Sequence, residues 1–496
     1  MDLSIKGGTI NRSMYWLRIK IHPTWYFTAS CMGVLVGITA AQWWNSFAEI
    51  IWLFVGLICC VLAGAAGRRW LLAVAVLGGG LIGLWRGSID QQALTTYAPL
   101  YGKHVELTGR VVDDSDTNSR GQTTLRLQNV TMEGHGLVGN VWVSTPTPLA
   151  ANVQRSDTVR VDGKLQLGFG SYPASMVDTK FQLVAREQPG DVALTARNGF
   201  SQAVSTAIHE PAASLGIGYL LGQKRGLPDD LATALQVAGL THIVVASGYN
   251  LTILVRLGRR LFEKISKYLS ALTGIGLIAS FIAITGLSPS MTRAGLVAGL
   301  GLWAWYYGRK FHPVTLLSFA AAVTVLFNPS YAWGNVGWQL SFAAFAGVMI
   351  VAPLLTAYFF GTERPPSIVQ ILGETFSAQI ATLPIILFIF GKFSAIAIIS
   401  NLIILPFVPL AMLLTFIAGL TALVVPAWAT IVGWPAQLLL DTMIAVIRWC
   451  ADIPWALVEW RLPLAGVIGW YVALVLACWH MQRASGYKLR NASIVE

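Results

Sequence analysis

The sequence predicts a polytopic α-helical membrane protein of about twelve crossings, with a small OB-like β-barrel domain inserted after the third. Three observations predict it. Hydrophobic residues make up 55% of the chain and charged residues only 11%, whereas a soluble protein is roughly a quarter charged. Apolar runs near the roughly 20 residues that a bilayer core demands recur along most of the chain. One stretch, ~95–196, replaces those runs with short alternating ones.

Lys6, Arg12, Arg18 and Lys20 precede the first apolar run, and no A-x-A-like cleavage site follows, so the start reads as a retained anchor. Three apolar segments fill 1–94, at ~24–42, ~48–66 and ~70–86, with Arg68 and Arg69 in the second turn. Cytoplasmic loops collect Lys and Arg, which puts the N-terminus and Arg68–Arg69 inside and delivers the next residues outside.

In 95–196 apolar residues alternate: Val105, Leu107 and Val111; Leu125 and Leu127; Val141 and Val143; Val159, Val161, Leu165 and Leu167; Phe181 and Leu183. Period-two runs separated by Gly, Asp, Asn and Pro predict five strands of a small barrel. Ten basic and ten acidic residues between 101 and 197 balance its charge, so no basic stripe marks a nucleic-acid face. Residues 197–240 predict amphipathic helices lying along the membrane surface, interrupted by Pro211. Among them, 228–239 forms a short helix with Asp229 and Asp230 at its positive end.

Segments follow through 241–482: ~240–256, ending at a basic cytoplasmic loop of Arg256, Arg259, Arg260, Lys264 and Lys267; then ~268–287, ~291–307, ~313–327, ~336–358 and ~372–391; and finally ~428–449 and ~463–481. The tail, 483–496, carries Arg483, Lys488 and Arg490 and belongs inside. Parity then requires one net crossing from ~393–426, which holds Pro406 and Pro409 and reads as a broken or partly re-entrant helix. Such backbone is tolerated at membrane depth only beside protein or a water-filled cavity, a first sign of a polar path.

The net charge is +11, and most of it follows from topology. Cys31, Cys59, Cys60, Cys450 and Cys478 sit in apolar runs and imply neither disulfides nor a metal site. The seven histidines are scattered without HxH or HExxH spacing, and GxxxxGK[ST] is absent. The expectation is a conduit: no catalytic residues, no metal, no cofactor, and no motor of its own.

Polar groups inside apolar segments are the informative ones, because facing lipid they are expensive. His242, Ser247 and Asn250 crowd one block beside Gly248. Such residues glue membrane helices together or line a cavity, and three together before a basic group favour the cavity. Arg293, in Ser288-Pro289-Ser290-Met291-Thr292-Arg293, either snorkels or faces a phosphate path; the path is favoured. Gln339 and Ser341 follow Trp333 and Trp338, which read as an aromatic belt rather than base-stacking platforms. Ser377, Gln379, Ser394, Ser400 and Asn401 add donors and acceptors near the broken segment.

Five ordered blocks resemble the ComEC competence family of inner-membrane DNA-uptake channels: Leu221–Leu227 (LGQKRGL), Gly239–Asn250 (GLTHIVVASGYN), Gly286–Ala294 (GLSPSMTRA), Asn328-Pro329 through Gln339–Phe342 (QLSF), and Gln379–Asn401 with Pro384, Gly391 and Pro406. The resemblance implies a channel for single-stranded DNA in the bacterial cytoplasmic membrane, with both termini inside and the barrel outside. Lys224, Arg225 and Arg293 would steer phosphates, and His242, Ser247, Asn250, Gln339, Ser341, Gln379 and Asn401 would line the path. Weak, repeated binding is what conduction requires. Implied partners are the lipid bilayer, a cytoplasmic ATPase or helicase, a separate nuclease and an extracytoplasmic DNA-delivery protein. Gln223 stands where the family has an acidic residue, and Asn250 where it has a second His, which puts proton-linked roles there in doubt. No HxHxDH nuclease motif follows, so the expectation is a channel-only member. A secondary transporter with broken helices and a non-transporting membrane scaffold are the alternatives.

Overall fold

The structure, a computed structural model, describes residues 22–66, 68–113, 115–117, 122–146, 153–186, 191–223, 226–245, 248–286, 288–309, 311–361, 363 and 365–487. Helices start where short polar side chains can satisfy the first free amides. His22 caps α1 (Pro23–Ala40) by accepting from the Thr24 amide, and α2 (Ile50–Ala66) and α3 (Leu71–Leu94) follow. The strands are β1 (His104–Val111), β2 (Thr123–Met132), β3 (Val141–Thr145), β4 (Thr158–Leu167), β5 (Ala174–Val177) and β6 (Lys180–Ala185). Asp191 caps α4 (Val192–Ala207), which leads to α5 (Ala212–Leu221), α6 (Asp229–Val237), α7 (Thr241–Val244) and α8 (Gly248–Glu263). Ser266 and Ser288 cap α9 (Lys267–Thr285) and α10 (Pro289–Tyr306), and α11 (Pro313–Phe327) follows. α12 (Val336–Ala346) passes through a π turn at Gly347–Val351 into α13 (Ala352–Phe360). The chain ends in α14 (Ser367–Ile389), β7 (Lys392–Ser394), α15 (Ala397–Ile404), α16 (Val408–Val424), α17 (Ala429–Ala451), β8 (Leu457–Glu459) and α18 (Leu464–Ser485).

Two compact units form: Met1–Arg186 with Val314–Val336, and Glu187–Pro313 with Gly337–Glu496. In the first, α1 and α3 approach until backbone meets backbone. A Cβ on Gly33 or Gly37 would strike the backbone at Val76 or Gly80, and one on Gly79 or Gly83 would strike Ser30 or Val34. Small residues let membrane helices approach this closely and gain dispersion contact that lipid cannot supply.

The barrel is a closed ring of β1, β2, β3, β5 and β4, with β4 pairing back onto β1. All of its pairings are antiparallel except β3 with β5. Leu107, Leu127, Val141, Val143, Val159, Val161, Leu165 and Met176 are fully buried inside it. The alternation that marks these strands is therefore the period of the pleat. The strand expected at Phe181 and Leu183 is only half of the closing one. β5 and β6 run in succession along β4, pairing Leu165 with Met176 and Val161 with Phe181. Asp178, at φ +54, interrupts them. β5 escapes the alternation because Ala174, Ser175 and Met176 are all buried in a row.

The second unit is helical around α5. Every residue from Ala212 to Tyr219 is buried, so this segment is a core helix and not the surface helix its neighbourhood predicts. It is apolar on all sides, and such a helix has no face to give to water. Gly216 lies against Thr415 of α16 and Leu440 of α17, and Gly218 against Val244 of α7.

Seven of the described helices are long and apolar enough to cross a membrane, fewer than the crossings expected. The difference has physical causes. The segment at ~240–256 is broken after α7, where Val245 is extended, and α8 continues through Arg256, Arg259 and Arg260. Arg256, Arg259 and Arg260 are thus helical, Lys264 lies in the join 264–266, and Lys267 opens α9. Of the other expected crossings, α2 and α11 are apolar but shorter, and α1 and α10 stand outside the seven. The long segment after ~393 is one helical path, Ala397–Val424, broken by a 3-10 turn at Leu405–Phe407 where Pro406 falls.

Candidate polar path

The polar residues of the helical unit divide into three groups by what surrounds them. Asn250 is fully buried at the start of α8. Its Nδ2 donates to the carbonyl oxygens of Tyr219 at 3.0 Å and Ile243 at 3.2 Å. A buried amide with those partners ties α5, α7 and α8 together, so the lining role expected for Asn250 gives way to a structural one. The reason is that α7 ends at Val244, which leaves the Ile243 carbonyl without a helical partner. His242, two residues before that break, is exposed, as is Thr241 before it, with the Gly239 backbone in hydrogen-bonding reach of its ring.

The second group surrounds the end of α6. Ser400 donates to the Ala238 carbonyl at 2.6 Å, and the Asn401 Nδ2 donates to the Ala397 carbonyl at 2.7 Å. Gln379 reaches the Ser394 carbonyl at 3.4 Å through its Nε2. The Gln379 Oε1, the Ser394 Oγ, the Ser377 Oγ and the Asn401 Oδ1 are buried with no hydrogen-bond partner among the described residues. Asn401 is only 5% exposed. The Nδ2 partner lies one turn back on its own helix, and the Oδ1 is left over.

The third group centres on Arg293, in the second turn of α10. Its Nε donates to the Ser341 Oγ at 2.8 Å. Its guanidinium carbon lies 5.1 Å from the Phe345 ring centre and 5.9 Å from that of Phe342. Ser341 and Phe345 stand four residues apart on α12, hence on one face. Gly248 makes room: a Cβ there would lie 3.0 Å from the Arg293 Nη2. Among the described residues no carboxylate pairs with Arg293. Cation–π contact and one neutral hydrogen bond hold it without satisfying all five N–H groups. The remainder suit a planar anion or a phosphate.

Arg293 and Ser341, named separately from the sequence, are thus brought together, as are Gln379 and Ser394. Gln339 is half-buried and has a polar partner of its own. Lys224, Arg225 and Ser247 lie outside the described residues. Phe342, Phe345 and Gly248 escaped the sequence reading as site residues. The four-residue step from Ser341 to Phe345 was the available signal. No group of three metal-ligating side chains occurs among the described residues.

Comparison with known proteins gives the family. No solved structure matches the chain. ComE operon protein 3 of Bacillus subtilis (strain 168) is 27% identical over 223 residues, 43% of this chain and 27% of the relative. The match therefore spans about a quarter of that relative's length. The profile of the family described as Competence protein matches residues 219–484, more than half of the 496-residue chain and all three polar groups. The chain is a member of the competence protein family.

Proposed function

We propose that this chain is a channel translocating single-stranded DNA across the bacterial cytoplasmic membrane during natural transformation. Membership of the competence family supports a role in DNA uptake. The observation that carries the finer reading is Arg293, a cation inside an apolar helical unit that rests on one serine hydroxyl and two phenylalanine rings. An ionisable side chain placed there is expensive and marks a path for ions or charged substrate. In this reading Arg293, with Lys224 and Arg225, guides phosphates, while His242, Gln339, Ser341 and Gln379 offer weak neutral contacts that let the strand move on.

The barrel lies outside, both termini lie inside, and a cytoplasmic ATPase, a separate nuclease and an extracytoplasmic DNA-delivery protein complete the system. Deleting the gene in its host and following labelled DNA is the direct test. Loss of uptake of labelled DNA, with uptake of small solutes unchanged, is expected. Wild-type DNA uptake in the deletion strain would refute the proposal.

A further inference from the structure

The basic group at the end of α8 is a row on one face of a helix, and its surroundings say what it faces. Arg256 and Arg260, and Lys264 one residue past the end of α8, follow at four-residue steps and are exposed, so they lie along one side of the helix and its end. Arg259 stands beside them, and its guanidinium carbon lies 5.1 Å from the ring centre of Trp305 on α10. Lys267, at the start of α9, places its Nζ 5.5 Å from the same ring. The Arg259 Nε is buried with no partner. Among the described residues none of these five cations makes an ion pair. The acids nearby are Glu263, exposed on the same helix, and Glu374 of α14, close enough to act on Tyr249 together with Arg256.

The depth of the row follows from packing. α8 and α9 form an antiparallel hairpin: the Ser270 Oγ donates to the Arg259 carbonyl at 3.1 Å, and Gly258 abuts Leu277 and Thr273. α9 is one of the seven candidate spans, so α8 runs beside it, and Arg256 stands two helical turns, about 12 Å, from Lys264. Charges at such depth face protein or water, not lipid. A separate row, Leu257, Leu261 and Ile265, at 43%, 64% and 71% exposure, is the exposed apolar side. At the other end of α8, Gly248 abuts Arg293. A polar face through Tyr249 and Thr252 joins the two.

We infer that this face of α8, from Arg293 at Gly248 through Arg256 and Arg260 to Lys264, is a phosphate track for a single nucleic-acid strand, with Arg259 and Lys267 on Trp305 at its end. The inference rests on the proposed channel function and names the cations that would meet the strand after Arg293. A ladder of unpaired cations, each weak and replaceable, moves a polyanion without trapping it.

The test uses the full chain in nanodiscs of phosphatidylcholine alone and fluorescein-labelled oligothymidylate as the probe. Binding is read by anisotropy from low to moderate salt. For single strands, log K falls with log salt by about 0.7 per phosphate contact. The variant Arg256→Gln/Arg260→Gln/Lys264→Gln should therefore flatten the slope by about 2 units and weaken low-salt binding at least tenfold, whereas Leu261→Ala should change neither. The positions are exposed and glutamine is a good helix former. If the triple variant fails to fold, each single variant should still remove about 0.7 of slope. An unchanged slope in the variants, with tight binding by the wild type, overturns the track and leaves the channel standing. So does a triple variant that binds oligothymidylate like the wild type in phosphatidylcholine and differs from it only when phosphatidylglycerol is added to the nanodiscs, since the row is then a lipid-headgroup site. No binding to the wild-type protein overturns the track, and the gene deletion then decides the channel separately.

Discussion

In the barrel, Arg126 lies 2.8 Å from Asp113 and Arg160 3.2 Å from Glu106. In the helices α8 to α10, Arg259 and Lys267 share one tryptophan ring, and Arg293 rests on Ser341, Phe342 and Phe345. Both regions belong to one chain of net charge +11. The barrel sets Arg126 and Arg160 against acids of its own, and α8 to α10 leave Arg259, Lys267 and Arg293 to rings and a hydroxyl. An ion pair is already satisfied and has little to offer an outside anion. A cation on an aromatic face keeps most of its N–H donors free. The difference teaches where a polyanion could be received, and it points to the helical unit rather than to the barrel.

That contrast can be broken most sharply at Arg293. Arg293→Ala should lower DNA uptake ten- to a hundredfold at near-normal protein abundance, the equivalent of about 1.5–3 kcal/mol for a charged hydrogen-bonded contact. Arg293→Lys should recover only part, because lysine keeps the charge but loses the planar fork. Uptake per folded molecule that stays at the wild-type level in Arg293→Ala would mean the arginine is structural. Immunoblotting of membranes beside the uptake assay separates the two.

A second expectation concerns the buried amide that the helical unit uses as a brace. Asn250→Leu leaves the Tyr219 and Ile243 carbonyls without their Nδ2 donor, which costs about 1–3 kcal/mol each time a buried polar group is stranded. Thermal unfolding in detergent should move to lower temperature and abundance should fall, while uptake per remaining molecule holds. A loss of uptake at full abundance would return Asn250 to the path. The smallest effect is expected in the barrel. Arg126 and Asp113 are 46% and 31% exposed, and solvent screening leaves such a pair about 1 kcal/mol or less. Asp113→Asn should shift unfolding only slightly and leave uptake unchanged. A marked uptake defect there would move the DNA-binding role to the barrel and undo the comparison.

Much of this architecture was legible in the residues. Period-two alternation marked β1 to β4 because a closed barrel buries every second side chain. Long apolar runs marked α9, α14, α17 and α18 because a span has a minimum length. Arg293 and Ser341 stood out because polar groups are costly among apolar ones. What failed, failed for stated reasons. Residues 212–219 looked like part of a surface layer, since nothing local distinguishes a core helix from a lipid-facing one. Asn250 looked like lining because its two carbonyl partners are remote or on a turn that the pattern does not announce. The basic group after ~256 looked like a loop because charge is read as topology before it is read as a helical face.

The sequence by itself determined composition, the membrane class, the order of helices and strands, the family blocks and the identity of the isolated polar groups, because these depend on chain-local chemistry and on transfer from water to an apolar phase. Only the tertiary structure decided which strands close the ring, that α5 is a core helix, that Asn250 is braced between carbonyls and that Arg293 meets rings and a hydroxyl, with no acid among the described residues paired to it. The physical reason is that partners of a buried polar group come from elsewhere in the chain. Gly248 meets Arg293 and Arg293 meets Ser341 across long sequence separations, and no local pattern encodes which distant side chain will fill the space that a glycine leaves.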